Sequence, residues 1–217
     1  MSYPVILYPQ LISRFRQKYS PPGVDVDNRK ELLQAYLQQL RELLQGRVIQ
    51  PNGVSDAPLG ASEMAFKEVL KAYFGTRVQS QLRFPIPNSD NCYSADFALI
   101  FGEIGLYLDV EIDEPFNLKN GRATHSIDHY HDRYRNTFFL NGNWIIVRFA
   151  EEQVVRYPKS CCKELATAIA TTTGLRQYLK TLENEPTLPP VEQWTKRQAR
   201  SMSQGKYRDR YLPQRRI

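Results

Sequence analysis

The sequence predicts an α/β domain with a mixed central sheet of about four to five strands flanked by helices. The predicted elements follow in the order helix, three strands, helix, strand, helix, which is typical of such an architecture. The most apolar run, 144–149, indicates a strand that is buried on both faces. Hydrophobic residues make up 41% and aromatic residues 12% of the 217 residues, which is enough for a substantial core.

Composition narrows the class of protein. No run approaches the roughly 18 consecutive apolar residues of a membrane span. The start at Met1 lacks the charged and apolar regions of a signal peptide. The three cysteines, with Cys161 and Cys162 adjacent, fit neither a disulfide framework nor a zinc site. We therefore expect a reduced, cytoplasmic protein without membrane contact and with buried, inert cysteines.

The first half of the chain contains two predicted helices. Leucines recur at helical spacing over 28–45, with Asp27 or Asn28 as the cap and Gly46 as the stop. A loop with two prolines and two glycines follows at 51–60. The second helix spans about 61–74, with an apolar face at helical spacing.

The second half alternates strands, turns and helices. The predicted strands are 77–84, 94–101, 106–113 and 144–149, and the predicted helices are 126–140 and 160–180. We divide the chain into an N-terminal helical extension (1–50), a core (51–182) and a proline-containing linker with a basic tail (183–217).

Carboxylates are concentrated on the strand predicted at 106–113. Acid and aliphatic residues alternate there, so Asp109, Glu111 and Asp113 point to one face at strand spacing. Like charges on one face repel each other, and burial alone does not offset that cost. A divalent cation is the usual compensation, although an exposed face of an edge strand is the alternative.

The net charge of +6 is concentrated at the end of the chain. From Val191 onward there are eight Lys or Arg residues against Glu192 and Asp209, whereas the preceding residues are balanced. Basic residues mixed with aromatic ones suit phosphate contact and base stacking. The predicted nucleic-acid-binding residues are Lys196, Arg197, Arg200, Lys206, Arg208 and Arg210. The alternative is a solvated tail without a ligand.

Four short motifs together resemble a known family. The chain reads Ala95-Asp96-Phe97, then Glu111-Ile112-Asp113, then Asp132-Arg133-Tyr134-Arg135, then Gly142-Asn143-Trp144 with Arg148-Phe149. This order resembles the PD-(D/E)xK nuclease superfamily, which has the restriction-endonuclease-like fold, and within it the very-short-patch-repair endonuclease-like branch. The resemblance covers about residues 61–157, and none of the motifs is diagnostic alone.

The resemblance implies hydrolysis of phosphodiester bonds in DNA with Mg²⁺, or Mn²⁺ in its place. Asp96 matches the superfamily's bridging Asp, and Glu111 matches the first acid of its (D/E)xK element, so these two would hold the metal. Asp113 would support them. Glu63 would match the acid often donated by the preceding helix, with Glu68 as its competitor.

The chain departs from this pattern at one position. Asp113 stands where the superfamily commonly has a lysine, and Lys119 in the following loop could replace it only if that loop folds back. His125 is a candidate accessory group, with a solvent-facing histidine as the alternative. Arg135 could contact phosphate, but we favour a structural pairing with Asp132 or Asp113. The role of Arg148 stays open.

Two other functions remain open from the sequence. The same fold can serve as a catalytically inactive nucleic-acid-binding or protein-interaction module, in which case the helix at 28–45 could mediate a homodimer or bind another partner. The acidic cluster could also hold a purely structural ion.

Overall fold

The computed structural model describes residues 1–23, 28–56 and 59–212. Asp27, Arg215 and Arg216, which enter the predictions above, lie outside these residues. The helices are α1 (Gln10–Lys18), α2 (Arg29–Leu44), α3 (Ala61–Phe74), α4 (Tyr130–Asn141), α5 (Glu151–Arg156), α6 (Pro158–Thr173), α7 (Gln177–Lys180) and α8 (Lys196–Gln204). The strands are β1 (Ser2–Tyr3), β2 (Val5–Leu7), β3 (Gly53–Val54), β4 (Val78–Pro85), β5 (Cys92–Phe101), β6 (Leu106–Asp113), β7 (Ile145–Ala150) and β8 (Val191–Glu192).

The central sheet has six strands in the order β2-β7-β6-β5-β4-β3, and β1 pairs with β8 in a separate small sheet. The predicted mixed sheet flanked by helices is confirmed, but the strand number of four to five is wrong. The difference is the edge strands β2 and β3, of three and two residues. Strands this short give no alternation that a sequence pattern could reveal.

All neighbouring strands of the large sheet are antiparallel except β6 and β7. A parallel pair needs a crossover connection, and α4 supplies it between these two strands. The crossover places α4 directly over one face of β6. Both α3 and β6 have the predicted bounds, whereas the helix predicted from 126 begins at Tyr130, and the one predicted over 160–180 is broken at Gly174 (φ +75°).

The sheet divides the interior into two layers. The aliphatic residues of β6, among them Leu108 and Val110, lie in the main core with residues of α2, α3 and α6. The buried Cys161 and Cys162 belong to the same core. On the other face, α4 and β7 form a smaller cluster around Trp144. The acids of β6 therefore face the α4 side, opposite the aliphatic residues.

The segment 191–212, which we call the C-terminal segment, packs against the body. Trp194 and Ala199 are buried in a cluster with Tyr3 and Ala150, and β8 pairs with β1. The sequence predicts a linker and tail here because prolines and charges dominate the composition. The few apolar side chains that anchor the segment are spaced too widely to produce a recognisable pattern. Among the described residues, no helix is long and apolar enough to span a membrane.

Candidate functional site

Asp96 and Glu111 meet where β5 and β6 separate. Backbone pairing between the two strands is continuous from Phe101 with Leu106 to Phe97 with Val110. Beyond that point the Asp96 amide donates to Glu111 Oε1 (3.2 Å), and the Ile112 amide donates to Asp96 Oδ2 (3.0 Å). The two carboxylates thus satisfy backbone donors that the separating strands leave unpaired. This exchange fixes them side by side, as their predicted role in one metal site requires.

The strand β4, which is the other neighbour of β5, is also irregular beside Asp96. Ser80 pairs with Phe97 and Leu82 pairs with Ala95, but between them Gln81 has a left-handed conformation with φ +57°. A residue other than glycine is uncommon in this region, and such residues are often found at functional sites. The sheet is therefore irregular on both sides of Asp96.

The charge of the acidic strand is compensated by arginine. Arg135 of α4 donates from Nη1 to Asp109 Oδ2 (2.7 Å) and from Nη2 to Asp109 Oδ1 (3.1 Å), and its Nη2 also contacts Glu111 Oε1. The same Nη2 donates to the Ser94 carbonyl oxygen (3.1 Å). The sequence suggests a divalent cation as the compensation for this row of acids, and in the described structure a buried guanidinium neutralises part of it. Arg135 is structural, as favoured, but its partners are Asp109 and Glu111 rather than Asp132 or Asp113.

A second arginine binds Asp113. Arg148 of β7 donates from Nε to Asp113 Oδ2 (3.0 Å) and from Nη2 to Asp113 Oδ1 (2.6 Å). The Tyr3 hydroxyl donates to Asp113 Oδ2 (2.8 Å). Both oxygens of this buried carboxylate are therefore engaged. Asp113, predicted to support the metal, is held in a structural ion pair.

His125 lies among three carboxylates. Its Nδ1 is 3.3 Å from Asp132 Oδ1 and 3.5 Å from Asp113 Oδ1, and its Nε2 is 3.7 Å from Glu114 Oε2. Burial opposes the charged imidazole, but these carboxylates outweigh it and raise the pKa of His125 to about 9. The imidazole therefore carries a proton at neutral pH. Burial raises the pKa of Asp96, and the attraction of the charged imidazole offsets only part of that increase.

Glu63 lies in the first turn of α3, where its Oε2 accepts from the Gly60 amide (3.0 Å). Burial and the charge of Asp96 raise the pKa of Glu63 to about 7. Glu63 therefore lies near enough to Asp96 for the charge of Asp96 to act on its carboxyl group. Glu68, the competing assignment, is exposed and pairs with Lys71 (3.7 Å). We call Asp96, Glu111, Glu63 and His125 the candidate site.

Burial is the main reason that the pKa values of Asp96 and Glu111 are both raised, in the case of Glu111 well above its ordinary value. The Asp96 carboxylate raises the pKa of Glu111 further, whereas Arg135 lowers it. Among the described residues, no donor contacts Asp96 Oδ1, Glu111 Oε2 or Glu63 Oε1. Each of these acids thus retains one oxygen for a ligand.

The described residues contain no group of three His, Cys, Asp or Glu side chains close enough to hold a metal ion together. Two adjacent carboxylates are nevertheless compatible with Mg²⁺, which binds through one or two carboxylates and keeps several waters. The residues therefore fit a divalent cation with Asp96 and Glu111 as its protein ligands.

The C-terminal segment reaches the edge of the candidate site through Glu151. Arg208 Nη2 donates to Glu151 Oε1 (2.6 Å), and the Tyr211 hydroxyl donates to Glu151 Oε2 (2.9 Å). The Ser62 hydroxyl, next to Glu63, also donates to Glu151 Oε1 (2.8 Å). Arg208 is therefore buried in an ion pair, although the sequence places it among the nucleic-acid-binding residues.

The other predicted basic residues are exposed. They are Lys196, Arg197, Arg200, Lys206 and Arg210, and α8 carries the first three. The α8 helix lies near His125, because Trp194 Nε1 donates to the Thr124 carbonyl (3.2 Å). Lys119 is exposed and, in the part of the chain that the structure describes, pairs with none of the site carboxylates.

Sequence reasoning did not identify Lys67 or Glu151 as parts of this region, and it considered Asp132 only as a partner of Arg135. Lys67 lies one helical turn after Glu63, and its Nζ donates to Ser80 Oγ (2.8 Å). The i,i+4 spacing of Glu63 and Lys67 is the signal that could have identified the lysine. Asp132 belongs to a quoted motif, but its contact with His125 depends on the loop that connects them. No local signal points to Glu151.

Comparison of the chain with protein-family models, curated proteins and solved structures found no match.

Proposed function

We propose that the chain is a divalent-metal-dependent nuclease that hydrolyses phosphodiester bonds in DNA at the candidate site. The observation that carries the proposal is the adjacent pair of Asp96 and Glu111, each with one oxygen unoccupied by a donor in the described structure. The order α3, β4, β5, β6, α4, β7 agrees with the restriction-endonuclease-like arrangement that the sequence motifs suggest.

The electrostatics support a cation at this place. The pKa values of Asp96, Glu111 and Glu63 are all raised, chiefly by burial, and the charge of Asp96 raises those of Glu111 and Glu63. Mg²⁺ bound between Asp96 and Glu111 would relieve this repulsion and favour the ionised carboxylates. When bound, the ion would neutralise charge on the phosphate and lower the pKa of a water molecule.

The protein's own residues would orient the site and supply a proton. Arg135 holds Glu111 in place through its contact with Oε1, and the amide of Ile112 holds Asp96 through Oδ2. His125, with a pKa of about 9, is protonated at neutral pH and can donate to a phosphate or leaving-group oxygen. Glu63 would act as a further acceptor beside Asp96.

The exposed cations of α8 would bind the phosphate backbone near the candidate site. Lys196, Arg197 and Arg200 are exposed, and in the described part of the chain none of their side chains forms a salt bridge, although the backbone amide of Lys196 donates to Asp128. Such contacts provide affinity without sequence specificity, and the affinity falls with salt. The proposal therefore includes DNA as the partner but assigns no recognition sequence.

The test is cleavage of supercoiled plasmid and of single-stranded DNA with Mg²⁺ or Mn²⁺. We expect Asp96→Asn and Glu111→Gln to abolish cleavage and Glu63→Gln to reduce it. Glu68→Gln is the matched control on α3, because Glu68 is exposed and makes only a surface ion pair. Cleavage that survives both Asp96→Asn and Glu111→Gln would refute the site assignment.

A second candidate function has its own support. Arg135 occupies Glu111 Oε1, and Arg148 and Tyr3 occupy both oxygens of Asp113. No lysine takes the position two residues after Glu111. These features suit an inactive DNA-binding module on the same fold. DNA retention without cleavage, together with no heat of Mn²⁺ binding in calorimetry, would favour that function over the nuclease.

A further inference from the structure

The first turns of α4 expose an unusual number of large apolar and aromatic side chains. Tyr130 and Tyr134 are each 62% exposed, and Ile127 just before the helix is 52% exposed. Tyr130 packs against His131 with ring centroids 4.0 Å apart and against Tyr134 at 6.1 Å in an edge-on arrangement. Single exposed tyrosines are ordinary, but here the rings contact one another while remaining open to solvent. We call Tyr130, His131 and Tyr134 the aromatic surface.

The aromatic surface belongs to the helix that forms part of the proposed catalytic region. Asp132, between Tyr130 and Tyr134 in sequence, contacts His125 at 3.3 Å. Arg135, next to Tyr134, contacts Glu111. The helix therefore presents buried charges to the candidate site and aromatic rings to solvent within the same two turns. The aromatic surface thus lies on the same turns of α4 as two residues that contact the candidate site.

The charges around the aromatic surface indicate what it binds. The α8 helix is attached there, because Lys196 N donates to Asp128 Oδ1 (2.9 Å) and Ile127 N donates to the Trp194 carbonyl (3.0 Å). Arg133 on α4 and three basic residues of α8 are exposed and unpaired within the described residues. Asp128 is the exposed acid nearest in sequence, and its carboxylate accepts from the start of α8. The surroundings thus favour a polyanion.

We propose that the aromatic surface stacks the unpaired bases of a DNA strand whose phosphates lie on α8. Bases in a duplex already stack on one another, so exposed rings gain most from nucleotides that are single-stranded or displaced from a helix. Each base–aromatic stack contributes enough to change affinity by roughly 5- to 100-fold when the ring is removed. The inference rests on the proposed function, which it deepens by naming single-stranded DNA as the substrate class.

The experiment measures binding without cleavage. The Asp96→Asn chain is titrated against a fluorescein-labelled single strand and against the duplex of the same sequence, with anisotropy as the readout and EDTA present. We expect tighter binding of the single strand. Adding both Tyr130→Ala and Tyr134→Ala removes two rings, so it should weaken single-strand binding by roughly 25-fold or more and change duplex binding much less.

Three controls separate stacking from other effects. Tyr130→Phe with Tyr134→Phe keeps the rings and should keep the affinity, whereas the corresponding Leu variants keep apolar surface and should not. Tyr157→Ala removes another exposed tyrosine, 39% exposed and outside α4, and should have no effect. Arg197→Ala with Arg200→Ala should weaken binding of both DNA forms and reduce its dependence on salt.

The outcomes also distinguish the inference from the proposed function. Single-strand affinity that is unchanged by the Ala substitutions, or a preference for duplex, would overturn the stacking proposal even if the parent chain cleaves DNA. Stacking as described, in a parent chain that cleaves no DNA with Mg²⁺ or Mn²⁺, would uphold the surface and refute the nuclease.

Discussion

The buried and half-buried acids of the central sheet fall into two pairs with different surroundings. Asp109 and Asp113 have hydrogen-bond donors on both oxygens, from Arg135 in the first case and from Arg148 and Tyr3 in the second. Asp96 and Glu111 have donors on one oxygen only. Both oxygens of Asp109 and of Asp113 are therefore hydrogen-bonded within the described structure, whereas Asp96 and Glu111 each have one oxygen available to a ligand. The number of donors around an acid therefore separates structural carboxylates from candidate ligands better than its place in a motif does.

The largest expected effect follows from removing the arginine that binds Asp113. Arg148→Met leaves the buried Asp113 with the Tyr3 hydroxyl and the more distant His125 as its partners, and we expect unfolding in urea to show a loss of about 3–5 kcal/mol. Lys71→Met, which removes an exposed partner of Glu68, should cost no more than about 0.5 kcal/mol. Adding Asp113→Asn to Arg148→Met should recover part of the loss. An Arg148→Met chain as stable as the Lys71→Met chain would remove the distinction between the two pairs.

A second expected difference lies between Asp109→Asn and Asp96→Asn. Asp109→Asn weakens a charged pair with Arg135, so we expect a loss of about 1.5–3 kcal/mol in stability with metal binding retained. Asp96→Asn should leave stability nearly unchanged, because burial raises the pKa of Asp96 and thus favours its uncharged form. It should weaken Mn²⁺ binding in calorimetry by roughly tenfold or more, since even outer-shell substitutions cost that much. A loss of stability in Asp96→Asn together with a loss of Mn²⁺ binding in Asp109→Asn would contradict the different roles of the two acids.

The smallest expected effect is the pH dependence contributed by Glu63, because solvent around this half-buried side chain screens the interactions that shift its pKa. Its pKa is raised from 4.5 in the unfolded chain to about 7 in the folded protein. The folded state then binds the proton more tightly, so this contribution to stability is fully present below pH 4.5 and is lost as the pH rises through about 7. Glu63→Gln should flatten that part of the stability profile. Glu68→Gln should leave the pH dependence of stability the same as in the parent chain. An equal change in both variants would contradict a raised pKa of Glu63.

Local patterns in the sequence predicted the features that depend on neighbours in sequence. Alternation along 106–113 indicates a strand with acids on one face, and β6 has exactly these bounds, with its aliphatic residues in the main core. The short separation between Asp96 and Glu111 allows a hairpin that brings them together, and they do lie together. Period and spacing are enough for such conclusions because the contacts cross only one turn.

The allocation of arginines could not be predicted. Whether Arg135 meets Asp109 and Glu111 or Asp113 depends on how α4 crosses the sheet, and the sequence gives no measure of that angle. The packing of the C-terminal segment is difficult to predict for a related reason. The segment packs against the rest of the chain through Arg208 and Tyr211, which bind the buried Glu151. A composition rich in charge and proline does not reveal such specific contacts.

The partners of the β6 acids come from distant parts of the chain, and this has a consequence for folding. Arg135 lies 26 residues from Asp109, and Tyr3 lies 110 residues from Asp113. In the β5–β6 hairpin, which closes over a short turn, the three carboxylates of β6 would lack these partners until α4, β7 and the first residues arrive. Loss of α4 would leave Asp109 and Glu111 without Arg135. Amide hydrogens of β5, β6 and α4 should accordingly exchange with solvent as one cooperative unit rather than strand by strand.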